Sequence, residues 1–149
     1  MAADDKPLKL RAGDIEDLTV LAACLQDAIL PLSDIAYLPA ERRFALVANR
    51  FRWERADKNR GFERINCGIS FQHVRAAKMK RIDRRDRGLL LDLLTLSAEE
   101  IEGGYAVSLI CADDRVIRLE LDRIEVTAED YGLAWPTESK PAHAEGDAR

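Results

Sequence analysis

The sequence predicts an α+β fold: a mostly antiparallel sheet of roughly six to eight strands, bent into a roll or barrel, with one N-terminal helix over a face or an opening. Three stretches carry that expectation. Tyr105 to Val126 reads as a hairpin, because Tyr105, Val107, Leu109 and Cys111 alternate with other residues, Asp113-Asp114 supplies turn chemistry, and Ile117, Leu119 and Leu121 alternate with Arg118, Glu120 and Asp122. Ile65, Cys67, Ile69 and Phe71 alternate with Asn66, Gly68, Ser70 and Gln72, the pattern of a half-buried strand. Ile15, Leu18, Ala22, Leu25 and Ile29 repeat at helical spacing behind Asp14. A pleckstrin-homology-like roll is one instance of such an architecture, by analogy only.

In chain order, Leu8 to Arg11 alternates weakly, as an edge strand would. Asp14 is the expected N-cap of the helix, with Glu16 and Asp17 in the first turn where the macrodipole favours negative charge. Pro31 stops the helix, so its last residue is expected near Asp27 or Ala28. Ile35 to Leu38 and Phe44 to Trp53 read as strands around a turn at Pro39 to Arg42. In the second of these, Asn49, Phe51 and Trp53 alternate with Arg50 and Arg52, which assigns aromatics to one face and arginines to the other. Residues 55–61 are charged and turn-rich, the composition of a mobile loop.

After Phe71 the apolar phase shifts to Val74, Ala77 and Met79, which implies a bend near His73 to Ala76. Leu89 to Leu96 suits a helix by composition, yet its place between two strand-like segments favours a central strand. At the end of the hairpin the apolar positions move from odd to even at Ile124 and Val126. This requires a bulge or sharp bend at Asp122-Arg123, or a helix beginning there, and the β-branched Ile124, Val126 and Thr127 favour the strand. Thr127 to Gly132 suits a capped single turn, and Leu133 to Trp135 an end docked on the core. Residues 1–135 are thus expected to form one globular domain, with a disordered acidic tail over 136–149.

With 149 residues and 47% apolar content the chain suffices for one domain with a real core. The start lacks an apolar leader, and no apolar run approaches the roughly 18 residues of a membrane span, so a cytoplasmic protein without membrane attachment is expected. Cys24, Cys67 and Cys111 are odd in number and set among apolar neighbours, which suits buried thiols better than disulfides or zinc.

The net charge of −4 conceals a segregation. From Arg42 to Arg87 there are fifteen Lys/Arg against five Asp/Glu, leaving eight against twenty-two elsewhere. Either the basic middle pairs with the acidic flanks across the sheet, or it forms a patch for an anionic partner. The densest run is Arg75, Lys78, Lys80, Arg81, Arg84, Arg85 and Arg87, the candidate surface for RNA or an acidic protein. No glycine-rich phosphate loop, nucleophile elbow or histidine pair at metal-ligand spacing is present, so no catalytic, cofactor or metal residues are assigned. The acid pairs Asp113-Asp114 and Glu99-Glu100 suit turns better than a catalytic dyad. The leading expectation is a non-enzymatic binding module. The alternative is a small-ligand binder or enzyme with a pocket at a barrel mouth near His73, Asp113 and Arg115.

Several segments also resemble a known family. Asp34-Ile35-Ala36-Tyr37-Leu38-Pro39, Glu41-Arg42-Arg43-Phe44, Asn49-Arg50-Phe51-Arg52-Trp53-Glu54, Gln26-Asp27-Ala28 and Ile117-Arg118-Leu119-Glu120 are similar to an alphaproteobacterial family catalogued as a domain of unknown function. The resemblance spans about residues 8–135. It implies a cytoplasmic bacterial protein with a housekeeping or regulatory part, and carries no activity or site.

Overall fold

A computed structural model describes residues 7–55 and 61–137. Ten strands and one helix follow in the order β1 (Lys9–Ala12), α1 (Ile15–Leu25), β2 (Ile29–Pro31), β3 (Ile35–Leu38), β4 (Arg43–Phe51), β5 (Phe62–Phe71), β6 (Val74–Lys80), β7 (Leu90–Ile101), β8 (Gly104–Cys111), β9 (Arg115–Leu121) and β10 (Val126–Thr137). The sheet runs β1-β10-β5-β4-β2-β7-β8-β9-β6, with β3 paired to β4 beside this path. Every pairing is antiparallel. The end strands β1 and β6 do not pair with each other, so the sheet is open and the expected barrel closure does not occur.

Asp14 caps α1 as expected: its Oδ1 accepts from the Asp17 amide at 2.7 Å, and Asp17 Oδ2 accepts in return from the Gly13 amide at 2.9 Å. Leu18, Leu21 and Leu25 bury the inner stripe. The helix ends earlier than the periodicity implies, and Ile29 begins β2 instead. Asp27 turns the chain in the left-handed region (φ 64°), and its amide donates to the Leu93 carbonyl while Leu93 donates to Ala28. Pairing with β7 thus replaces the next helical turn.

The β8–β9 hairpin turns on Asp113 and Asp114, both left-handed (φ 65° and 59°), the conformation that matches the twist of two adjoining strands. Its inward residues Val107, Leu109, Ile117, Leu119 and Leu121 are buried with Phe44, Leu46, Phe71, Leu91 and Leu93 in one cluster that α1 covers. Residues 90–101 form a strand inside the sheet, as their position between strands implies. The break after Phe71 falls at His73 (φ 59°), and the chain bends away from β9 at Asp122-Arg123, so the bend reading holds and the helical one does not.

The C-terminal part departs from expectation. Thr127 to Gly132 is not a capped turn but part of β10, held between Arg11 of β1 and Ser70 of β5 at Thr127. Gly132 (φ 73°) serves a bulge between Tyr131 and Trp135. The strand continues through Pro136 and Thr137, opposite Glu63 and Phe62, two residues past the expected domain boundary. The expected loop at 55–61 and the rest of the expected tail, 138–149, fall largely or wholly outside the described residues.

Candidate anionic-partner surface

Strand β6 and the segment to β7 carry all seven candidate cations. On β6, Ala77 and Met79 turn toward the core while Lys78 and Lys80 are exposed. Arg75 is tied inward: its Nη1 lies 3.3 Å from Asp122 Oδ1 and donates to the Gly103 carbonyl at 3.0 Å, and its Nη2 donates to Glu102 at 2.9 Å. Arg85 pairs with Asp83 at 3.2 Å, and the amide and guanidinium of Arg85 hold that carboxyl below the usual range. Arg87 Nη2 donates to the Ser33 carbonyl at 3.3 Å.

Among the described residues, Lys78, Lys80, Arg81 and Arg84 make no ion pair and no side-chain hydrogen bond. The register explains the case of Lys78. Its neighbour across the ladder is Arg118, which itself lies 3.7 Å from both Glu99 and Glu120 and so occupies the nearby carboxylates. Arg81 (φ 61°) reverses the chain at the end of β6, and its carbonyl accepts from Arg115 Nε at 3.2 Å. The basic run therefore divides into three side chains with internal partners and four that face water.

Of these four, Arg84 borders a groove of about 410 Å³ lined by Leu32, Ile35, Tyr37, Phe44, Ala77 and Met79, with Arg87 beside it, while Lys78 and Lys80 project from the opposite face of β6. Strand β3 forms one wall and β6 the other. Such a volume falls in the range of sites that hold a drug-sized molecule or a few side chains.

The basic residues earlier in the chain behave differently. Arg50 is fully buried on the face opposite Phe51, as the alternation in β4 predicts, so the arginine face is a core face as well. It continues the inward phase of Phe44, Leu46 and Ala48, and its guanidinium bonds Asp130 and Glu54. Burial lowers the Arg50 proton affinity, but the bonds to Asp130 and Glu54 outweigh it and raise its pKa. Burial likewise tends to raise the Asp130 carboxyl, and the bonds from Arg50 and the Leu8 amide hold it below its ordinary value. Phe51, on the other face, is covered by Trp53, Phe62 and the Arg64 guanidinium, 5.8 Å above its ring. Both faces of β4 are therefore buried at its end. Arg52 pairs with Glu63 at 2.8 Å, and Arg42 with Asp122. Here the charge segregation is resolved by internal pairing.

The alternative site does not assemble. His73 bonds Glu125 at 2.7 Å beside the Leu121 end of β9, whereas Asp113 and Arg115 pair with each other at its other end, roughly 20 Å away at strand rise. Glu99 and Glu100 are consecutive on β7 and point to opposite faces. Among the described residues no group of three or more His, Cys, Asp or Glu side chains is placed to hold a metal ion, and no helix is long and apolar enough to cross a membrane.

The chain belongs to the family described as Protein of unknown function (DUF2948), whose model matches residues 8–143. No curated protein and no solved structure matches it.

Proposed function

We propose that the chain is a non-enzymatic cytoplasmic binding module that takes an acidic protein segment on β6 and the residues leading to β7. The observation that carries this reading is that β6 offers two features on its two faces: Ala77 and Met79 line an apolar groove bordered by Arg84, and Lys78 and Lys80, unpartnered among the described residues, project from the other face. Exposed ion pairs contribute only about 0–1 kcal/mol each, so concentrating cations here adds little to folding. A partner with carboxylates and apolar side chains would use both features. Three thiols without disulfides fit the reducing compartment.

RNA is the competing anion. Single-stranded RNA is held by aromatic faces interleaved with cations on one surface. The groove offers chiefly aliphatic walls, and its aromatics Tyr37 and Phe44 pack against each other at 6.4 Å. This favours a protein partner.

The test is a pair of anisotropy titrations at low and moderate salt, one with a fluorescein-labelled acidic peptide containing valine and leucine, one with labelled poly-uridine. Salt-sensitive binding of the peptide in preference to the RNA is expected, lost in the Lys78→Glu/Lys80→Glu/Arg84→Glu variant with its melting temperature unchanged. Binding of poly-uridine alone would reassign the surface to RNA. Loss of folding in the variant would assign the cations to internal pairing.

A further inference from the structure

Resting on that reading, we infer that the acidic segment binds as an added β-strand along the open edge of β6, its apolar side chains entering the groove between β6 and β3. Among the described residues, β6 ends the sheet path and pairs with β9 alone, through Leu121 to Val116, and β3 pairs with β4 alone. The two strands form opposite walls of the groove, and among the described residues no strand lies between them.

The walls converge at one end, where the Val74 amide donates to the Arg42 carbonyl at 2.8 Å. At the other end Arg87 reaches back to Ser33. Between these ties, the backbone groups of β6 that turn away from β9 have no ladder partner among the described residues, which is the template that strand addition uses.

Side-chain alternation specifies the ligand. A strand laid beside β6 continues its pleat, so alternate residues point with Ala77 and Met79 into the groove and the others with Lys78 and Lys80 toward water. The matching sequence alternates apolar residues with glutamate or aspartate. Lysines on an edge also guard against aggregation, because they repel uncharged or cationic strands. The same charges admit an acidic strand, and Arg84 at the groove rim adds attraction that edge protection does not require.

The experiment uses the full chain and an acetylated, amidated peptide alternating valine and glutamate, long enough to run along the seven residues of β6. Two further peptides carry N-methyl groups on alternate residues, one in each phase. Strand addition predicts salt-sensitive binding of the parent, a loss of about tenfold or more with one methylation phase, and little change with the other, because only one phase presents its amides to β6. Amide exchange should slow at β6 on binding of the parent. Equal binding of all three peptides, without slowed exchange in β6, would overturn the strand mode while leaving the acidic-segment reading intact. Absence of parent binding at low salt would overturn both.

Discussion

Arg50 and Asp130, eighty residues apart in the chain, close a two-point ion pair inside the core, Nε to Oδ1 at 2.8 Å and Nη2 to Oδ2 at 2.7 Å, with both side chains at 0% exposure. Glu54 completes the arrangement from the solvent side at 2.7 Å and 3.1 Å, and Asp130 also accepts from the Leu8 amide. The cluster joins β4 to β10 and ties down the residue preceding β1. Removing one member leaves a buried charge without its counterpart, which costs about 3–5 kcal/mol, whereas an apolar pair of similar volume is far less damaging. Asp130→Leu should therefore destabilise by about 3 kcal/mol in urea unfolding, and Arg50→Met/Asp130→Leu by clearly less. A cost below about 1 kcal/mol for the single variant would refute the structural role.

The same cluster sets an acid limit. Asp130 and Glu54 both titrate below their ordinary values: burial raises each, but the Arg50 bonds outweigh it. A carboxyl depressed in the folded state contributes stability that is complete above its unfolded pKa, about 4, and that disappears as pH falls through the folded value. Urea midpoints should therefore hold between pH 7 and 5 and fall below about pH 4. Asp130→Asn, less stable at neutral pH, should show a flatter acid limb. Asp122 is also depressed, chiefly by its bond from Arg42, yet it is exposed and adds little.

These relationships mark what can be read from the residues and what cannot. The capped start of α1, the strands at Ile65 to Phe71 and Tyr105 to Leu121, and the phase breaks at His73 and Asp122 are all local signals, written within a few residues of where they act. The Arg50–Asp130 pair is not local. Arg50 stands on the inward phase set by Phe44, Leu46 and Ala48, which is a legible hint that it needs a buried anion. Identifying Asp130 requires knowing that Val126 to Thr137 is a strand paired with β5, while Thr127, Asp130 and Gly132 locally resemble a capped turn. The groove is equally hidden, because its walls come from segments some forty residues apart that never pair. For the basic run, composition alone does not separate the tied Arg75, Arg85 and Arg87 from Lys78, Lys80, Arg81 and Arg84. The register beside Arg118 accounts for Lys78, and the ties of Arg75 to Asp122, Glu102 and Gly103 and of Arg87 to Ser33 reach partners distant in the chain.

Thiol chemistry tests the core directly. Burial pushes Cys67 up to about 12, with the Asp130 charge adding to it, and burial does the same for Cys111 with Asp92. Cys24 is only half-buried, and burial raises it as well. The thiolate is the reactive form, so at pH 8 a disulfide reagent should titrate one thiol slowly in the folded protein and all three in urea. Rapid reaction of three thiols without denaturant would contradict the burial of Cys67 and Cys111.

Gly104 opens β8 where the chain leaves β7, opposite Ile101. Its requirement is space: a Cβ there would lie 2.0 Å from the Leu121 carbonyl oxygen, 3.0 Å from the Leu121 carbonyl carbon and 3.1 Å from the Asp122 Cα. All three are backbone atoms at the end of β9, where the Asp122 amide donates to the His73 carbonyl at 3.0 Å, so none can swing aside as a side-chain tip would. Relief requires moving the β8–β9 ladder, which carries the buried Val107, Leu109, Leu119 and Leu121. Overpacking of this kind costs about 1–3 kcal/mol, and the backbone contacts place Gly104→Ala at the upper end. Gly88→Ala is the control, because its nearest neighbour would be Asp86 Oδ1 at an ordinary 3.9 Å. A fall in melting temperature for Gly104→Ala, with Gly88→Ala near wild type, is the expected pair of results. Equal stability of the two variants would show that β8 does not approach the end of β9 so closely.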